Sequence, residues 1–94
     1  MSKLRKSAKG QQCQIRIPGV CRNETETVCL CHLNGAGWAR KSLDIHAAFG
    51  CSRCHSAVDG RLPTGWDNDL LKLWFLEGVI RTQEIMVKNG LIKF

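Results

Sequence analysis

The sequence predicts a small α+β domain stapled by a metal ion. Three observations predict it. The chain has 94 residues and six cysteines. Two of the cysteines, Cys51 and Cys54, form a C-x-x-C pair. The pattern also switches from short β-branched runs before residue 50 to a long helical period after Asp67.

Ninety-four residues make one domain, 1–94, and leave no room for a second core. Folding at this size buries only about 60–65% of the unfolded surface, so a staple is expected. The six cysteines could supply it as disulfides or as metal ligands. Residues 1–10 are basic, and no apolar run of export-signal length follows them. The expectation is therefore a cytoplasmic, reducing compartment, where disulfides are rare and metal binding is the better reading. No run approaches 18 apolar residues, so no membrane span is expected.

The elements follow in order. Residues 1–10 read as a basic arm, mobile when free. Residues 11–61 form the metal-bound core. Within it, residues 13–21 (CQIRIPGVC) read as a short strand closed by a Pro18-Gly19 turn. TVCLCHL at 27–33 is β-branched and apolar and reads as a second strand. A Gly-rich connection and the basic pair Arg40-Lys41 come next, and residues 44–50 lead into Cys51. The C-x-x-C-H stretch opens a short helix through Val58, ended by Gly60. Residues 61–65 are a linker. Residues 67–90 hold the C-terminal helix, with Asp67 or Thr64 as N-cap and Gly90 as its stop. Gly78 weakens the case for one unbroken helix there. LIKF at 91–94 is expected as an edge strand. Trp66 and Trp74 are expected in the core, and Trp38, in the basic loop, as a stacking platform.

Cys51-x-x-Cys54 has the knuckle spacing of a structural zinc site, because both sulfurs can face one ion from one tight turn. A tetrahedral ion needs a second pair, and two pairs compete. Cys29 and Cys31 lie on one face of a strand, but about 6.5–7 Å apart by strand rise. Cys13 and Cys21 flank IRIPGV, where a turn returns the chain on itself. The expected site is therefore Cys13, Cys21, Cys51 and Cys54. Cys29 and Cys31 are then buried small hydrophobes. C-x-x-C is also a redox motif, but no βαβ pattern surrounds it here.

The net charge is +6 and unevenly spread. Residues 1–61 carry ten Lys or Arg against four acids, and residues 62–94 carry four of each sign. A basic core region attracts nucleic acid, although solubility alone would also account for such a charge. Each of the three histidines sits beside a landmark. His32 ends the apolar strand, His46 lies five residues before Cys51, and His55 follows Cys54. Each could be an ordinary imidazole. Two facing one cleft, with Asp44 and Asp59 nearby, could instead bind a divalent metal for nuclease chemistry.

An apolar strand ending in His, then a loop, then a polar residue five places before C-x-x-C-H, resembles the His-Asn-His (HNH) endonucleases. The phrases RKSAKGQQCQIRIPGVC, CHLNG, CSRCHSAVDG and VIRTQ resemble, along most of the chain, the YbcO family of small lambdoid-phage and prophage proteins. The resemblance implies a ββα-metal core of treble-clef type around a four-cysteine structural zinc. It implies a metal-dependent endonuclease hydrolysing DNA phosphodiester bonds in phage recombination or replication.

Carried over by residue, the HNH pattern makes His32 the general base. His55 becomes a ligand of a second, catalytic divalent metal of open identity. His46 takes the place of the middle Asn, orienting His32 or touching the metal, and Asp44 is the other candidate there. The chain departs from the pattern in having Cys31 before the base, where Asp is common, and His46 for Asn. Lys3, Arg5, Lys6, Lys9, Arg40, Lys41 and Arg53 are expected to contact phosphates. The partner is then DNA, with a homodimer through the C-terminal helix as a further expectation. The alternative is a non-catalytic zinc module that binds nucleic acid or a protein partner.

Overall fold

The computed structural model of the protein describes residues 3–32 and 44–92. The expectations for Trp38, Arg40 and Lys41 lie outside these residues, as do those for Lys93, Phe94 and the Asp44 side chain. The fold is α+β, with a two-stranded sheet and a long C-terminal helix.

The basic N-terminal segment is a short helix, α1 (Lys3–Ser7), followed by a turn. Ala8 is buried, and Leu4 packs on the core from one side of the segment. The other side leaves Lys3, Arg5, Lys6 and Lys9 exposed. The expected mobile arm is thus anchored through its two apolar residues.

Residues 13–21 do not form the expected strand. Arg16 takes φ +56°, which breaks any extended run. The predicted turn is present, with Gly19 at φ +75° and the Cys21 N–H donating to the Ile17 carbonyl at 2.9 Å. The segment is a folded-back loop that buries Ile15 and Ile17.

Strand β1 (Cys29–His32) pairs antiparallel with β2 (Ala47–Gly50), with Leu30 opposite Phe49 and His32 opposite Ala47. A 3-10 turn over Asp44–His46 leads into β2. All four residues of β2 are buried, which explains why AAFG shows no polar alternation. Helix α2 (Ser52–Val58) starts at Cys51, whose extended backbone makes it the N-cap.

Helix α3 (Asn68–Lys88) has Asp67 as N-cap and runs unbroken through Gly78. It packs across β2 and buries Leu71, Phe75, Gly78, Val79, Thr82 and Met86. The other side of α3 exposes Leu73, Leu76 and Ile80. Trp66 is exposed, against expectation. It stacks edge-on with Trp74, ring centres 5.2 Å apart, and donates from Nε1 to the Pro18 carbonyl at 3.0 Å. Leu91 and Ile92 form bends, and no strand forms over them.

Candidate metal centre and adjoining cleft

The turn at 13–21 and the start of α2 meet at their cysteines. The sulfurs of Cys13, Cys21, Cys51 and Cys54 all lie within 4.8 Å of one another. Cys13, Cys51 and Cys54 are buried, and Cys21 is half-buried. Each side is held by specific bonds. The Cys13 N–H donates to Asn23 Oδ1 at 2.8 Å, and Arg53 Nε donates to the Val20 carbonyl at 3.0 Å. Arg53, expected on a phosphate-binding surface, is half-buried and ties α2 to the cysteine loop.

Close packing perturbs the thiols of the cluster in opposite directions. The Cys54 thiol beside Cys13 lowers the Cys13 thiol to about 4, and the same contact pushes Cys54 up. Burial, with a charged Cys13 nearby, raises Cys21 to about 11. The sulfurs therefore share protons, since four adjacent thiolates repel one another. A divalent ion removes that conflict. Four sulfurs converging from two knuckles match the closed donor set of structural zinc. The group is compatible with a structural zinc.

A second group lies at the start of β1, where Cys29 pairs with Gly50 beside Cys51. Cys29, Cys31 and His55 also bring their ligand atoms within 4.8 Å of one another. Cys29 Sγ is 3.9 Å from Cys31 Sγ and 3.8 Å from His55 Nδ1. This corrects two expectations. Cys29 is exposed rather than buried. The strand rise separates the Cα atoms, but the two thiol groups lean toward each other on one face. The Cys31 thiol, with His55, lowers Cys29 to about 4, while the charged Cys29 and burial push Cys31 up. His55 is raised above its usual 6.5, first by Cys29 and then by the Asp59 carboxylate. That carboxylate lies 3.2 Å from His55 Nε2 and also accepts from Arg61 at 3.0 Å.

His32, at the end of β1, is half-buried. It lines a cleft of about 390 Å³ with Asp59, Asn68 and Lys72, floored by Leu71 and Phe75. It also borders a cavity of about 300 Å³ with Arg5, Cys29 and Leu30. His46 is exposed in the 3-10 turn that precedes the partner strand. Among the described residues, neither His32 nor His46 falls in a group of three close metal-ligating atoms. Asn68 and Lys72 carry no signal in the sequence, because they sit on a charge-balanced helix that reads as a packing element. The signal for Cys29 and Cys31 is their C-x-C spacing, which strand rise alone argues against. No helix among the described residues is long and apolar enough to cross a membrane.

Residues 2–91 match the family model described as "Putative nuclease YbcO". The chain is 45% identical over 96 aligned residues to "Putative nuclease YbcO" of Escherichia coli strain K12, covering 99% of each chain. It is equally similar to "Putative nuclease ybcO" of Enterobacteria phage 82. Among solved structures it resembles a "putative bacteriophage protein" from Escherichia coli K-12 MG1655. The TM-score is 0.80 at 43% identity, over 94% of this chain and 100% of that one. Identity of this order over the full length of both chains, on a shared fold, makes the protein a member of the YbcO family.

Proposed function

We propose that the protein is a metal-dependent endonuclease of HNH type that hydrolyses phosphodiester bonds in DNA. The observation that carries the reading is the arrangement around Asp59. Its carboxylate bonds His55 and lines the cleft that His32 borders, so two imidazoles flank one acid. The nuclease names of the relatives support the same reading at the level of reaction class. On it, the core is a ββα-metal fold of treble-clef type. Cys13, Cys21, Cys51 and Cys54 hold its structural zinc.

His32 is the general base in this reading. Its neutral imidazole takes a proton from water at the open end of the cleft. A bound divalent ion would stabilise charge on the phosphate and on the leaving oxygen. His55 is its ligand, oriented by Asp59. His46, and Asp44 in the same 3-10 turn, orient the base or complete the ligand set. Lys72 faces the cleft and can hold a phosphate oxygen. Lys3, Arg5, Lys6 and Lys9, with Arg40 and Lys41, supply affinity for the DNA backbone without reading sequence. We place this activity in phage recombination or replication, in the cytoplasm of a bacterial host, as the setting that fits a nuclease with a phage-encoded relative. The exposed Leu73, Leu76 and Ile80 of α3 would seat a second copy.

The test is incubation of the purified protein with linear, nicked and branched DNA across magnesium, manganese, nickel and zinc, beside His32→Ala. Cleavage that disappears in the variant is the expected result. Binding without cleavage in every metal overturns it in favour of a non-catalytic zinc module binding nucleic acid or a protein. Cys31 in place of an acid before His32 favours that second reading.

A further inference from the structure

We propose that Cys29, Cys31 and His55 form a second metal site that takes a soft divalent ion of the zinc class and leaves one coordination position open. The proposal rests on the donor geometry and not on the nuclease reading.

The spacing of the donor atoms is the first argument. Bonds of about 2.0–2.3 Å in a tetrahedron put neighbouring donors about 3.3–3.8 Å apart. Cys29 Sγ stands 3.9 Å from Cys31 Sγ and 3.8 Å from His55 Nδ1. The third pair, Cys31 Sγ and His55 Nδ1, lies within 4.8 Å, so a shift of at most about 1 Å closes all three on one ion. The four-sulfur group is no tighter, since its Cys51 and Cys21 sulfurs are 4.0 Å apart.

The second argument is the far nitrogen of the ring. His55 Nε2 lies 3.2 Å from Asp59 Oδ2, one helical turn away. A carboxylate on the distal nitrogen fixes the tautomer, turns the other nitrogen's lone pair toward the sulfurs and raises ligand basicity. Asp59 is itself held by Arg61. This is the supporting shell of a ligating histidine.

The third is the room made for sulfur. A Cβ at Gly50 would stand 2.9 Å from Cys31 Sγ and 2.6 Å from Ile15 Cδ1. Glycine at this position leaves space for the buried thiolate between β2 and the 13–21 loop.

Donor type then selects the ion. Two thiolates and an imidazole suit zinc, cobalt or nickel and do not suit magnesium, which demands oxygen ligands. Three protein ligands, one of them exposed, are the pattern of a site that keeps a position for water or substrate. The neighbouring cavity lined by Cys29, Arg5 and His32 lies on that side. If the ion is also the catalytic one, an oxygen of an anionic substrate enters there.

The experiment uses the full chain, reduced and loaded with cobalt(II). Thiolate-to-cobalt absorption should rise through a first equivalent and again through a second, and excess magnesium should displace neither. The double variant Cys29→Ser, Cys31→Ser should stop after the first equivalent while keeping its far-UV circular dichroism. If that variant does not fold, Asp59→Asn serves, and it should weaken the second equivalent by about 10–100-fold without touching the first. Saturation of the wild-type chain at one equivalent overturns the proposal. So does an unaltered second equivalent in both variants.

Discussion

Gly78 of α3 lies directly on Gln14, so that a Cβ built on the glycine would stand 3.0 Å from the Gln14 carbonyl oxygen and 3.1 Å from Ile15 Cα. The atoms it would meet are backbone, and they cannot move aside cheaply. Gln14 is fixed on both sides. Its N–H donates to the Phe49 carbonyl at 2.7 Å, and Arg81 Nε donates to its carbonyl at 3.0 Å. Gly78→Ala gains about 1 kcal/mol of helix propensity but overpacks the site by about 1–3 kcal/mol. The expected result is a net loss of stability in urea unfolding. A midpoint equal to or above wild type would show that the loop yields.

Thr82 and Phe49 give a second prediction. The Phe49 N–H, which faces away from β1, donates to Thr82 Oγ1 at 2.9 Å in a fully buried position. Thr82→Val keeps the shape and strands that donor, at a cost of about 1–3 kcal/mol. Thr82→Ser keeps the hydroxyl and should recover most of the loss. Equal destabilisation by both variants would assign the effect to packing and remove the hydrogen bond from the account.

These two pairs also show what the sequence could and could not reveal. Periodicity locates α3 and its N-cap, since Asp67 and the apolar spacing are local signals. The four-sulfur group is legible because C-x-x-C and a Pro-Gly turn constrain sulfurs over short stretches. Strand β2 is not legible: AAFG is buried on both faces by α3 and the 13–21 loop, so it lacks alternation. The 13–21 segment looks extended because Ile15 and Ile17 alternate with polar residues, but Arg16 at φ +56° folds it back. The Cys29, Cys31 and His55 group needs the position of α2 against β1, which no spacing rule encodes. Whether Gly78 interrupts its helix is likewise decided by a distant partner, Gln14.

Removal of metal from the four-sulfur group should unfold the protein. Metal-coupled folding of such a site contributes about 10–16 kcal/mol, comparable to the whole net stability of a small domain. The sulfurs of Cys13 and Cys21 lie within 4.8 Å of those of Cys51 and Cys54, and Ile15 and Ile17 of the same loop are buried. A strong chelator should collapse the far-UV circular dichroism, and re-added zinc should restore it. Full metal loss with an unchanged spectrum would sever the fold from the ion. Cys54→Ala should behave as the chelated protein does even in excess zinc.

The last prediction concerns α1. Lys3, Arg5 and Lys6 lie on the exposed side of a helix whose Leu4 packs on the core, and Lys9 lies in the turn that follows. An anchored basic patch differs from a flexible tail in that its charges sit at fixed distances from the His32 cleft, to which Arg5 is joined by a shared cavity wall. If these residues pair with phosphates, each pairing releases counterions. Every phosphate left without its cation then lowers the slope of log affinity against log salt by about 0.7–0.9. Changing Lys3, Lys6 and Lys9 to Ala leaves Leu4 and Ala8 in place, so the domain should stay folded. DNA affinity at low salt should drop, with a salt slope shallower by about 2–3. A weaker affinity with the wild-type slope would mean that α1 supports the fold and does not touch the backbone of DNA.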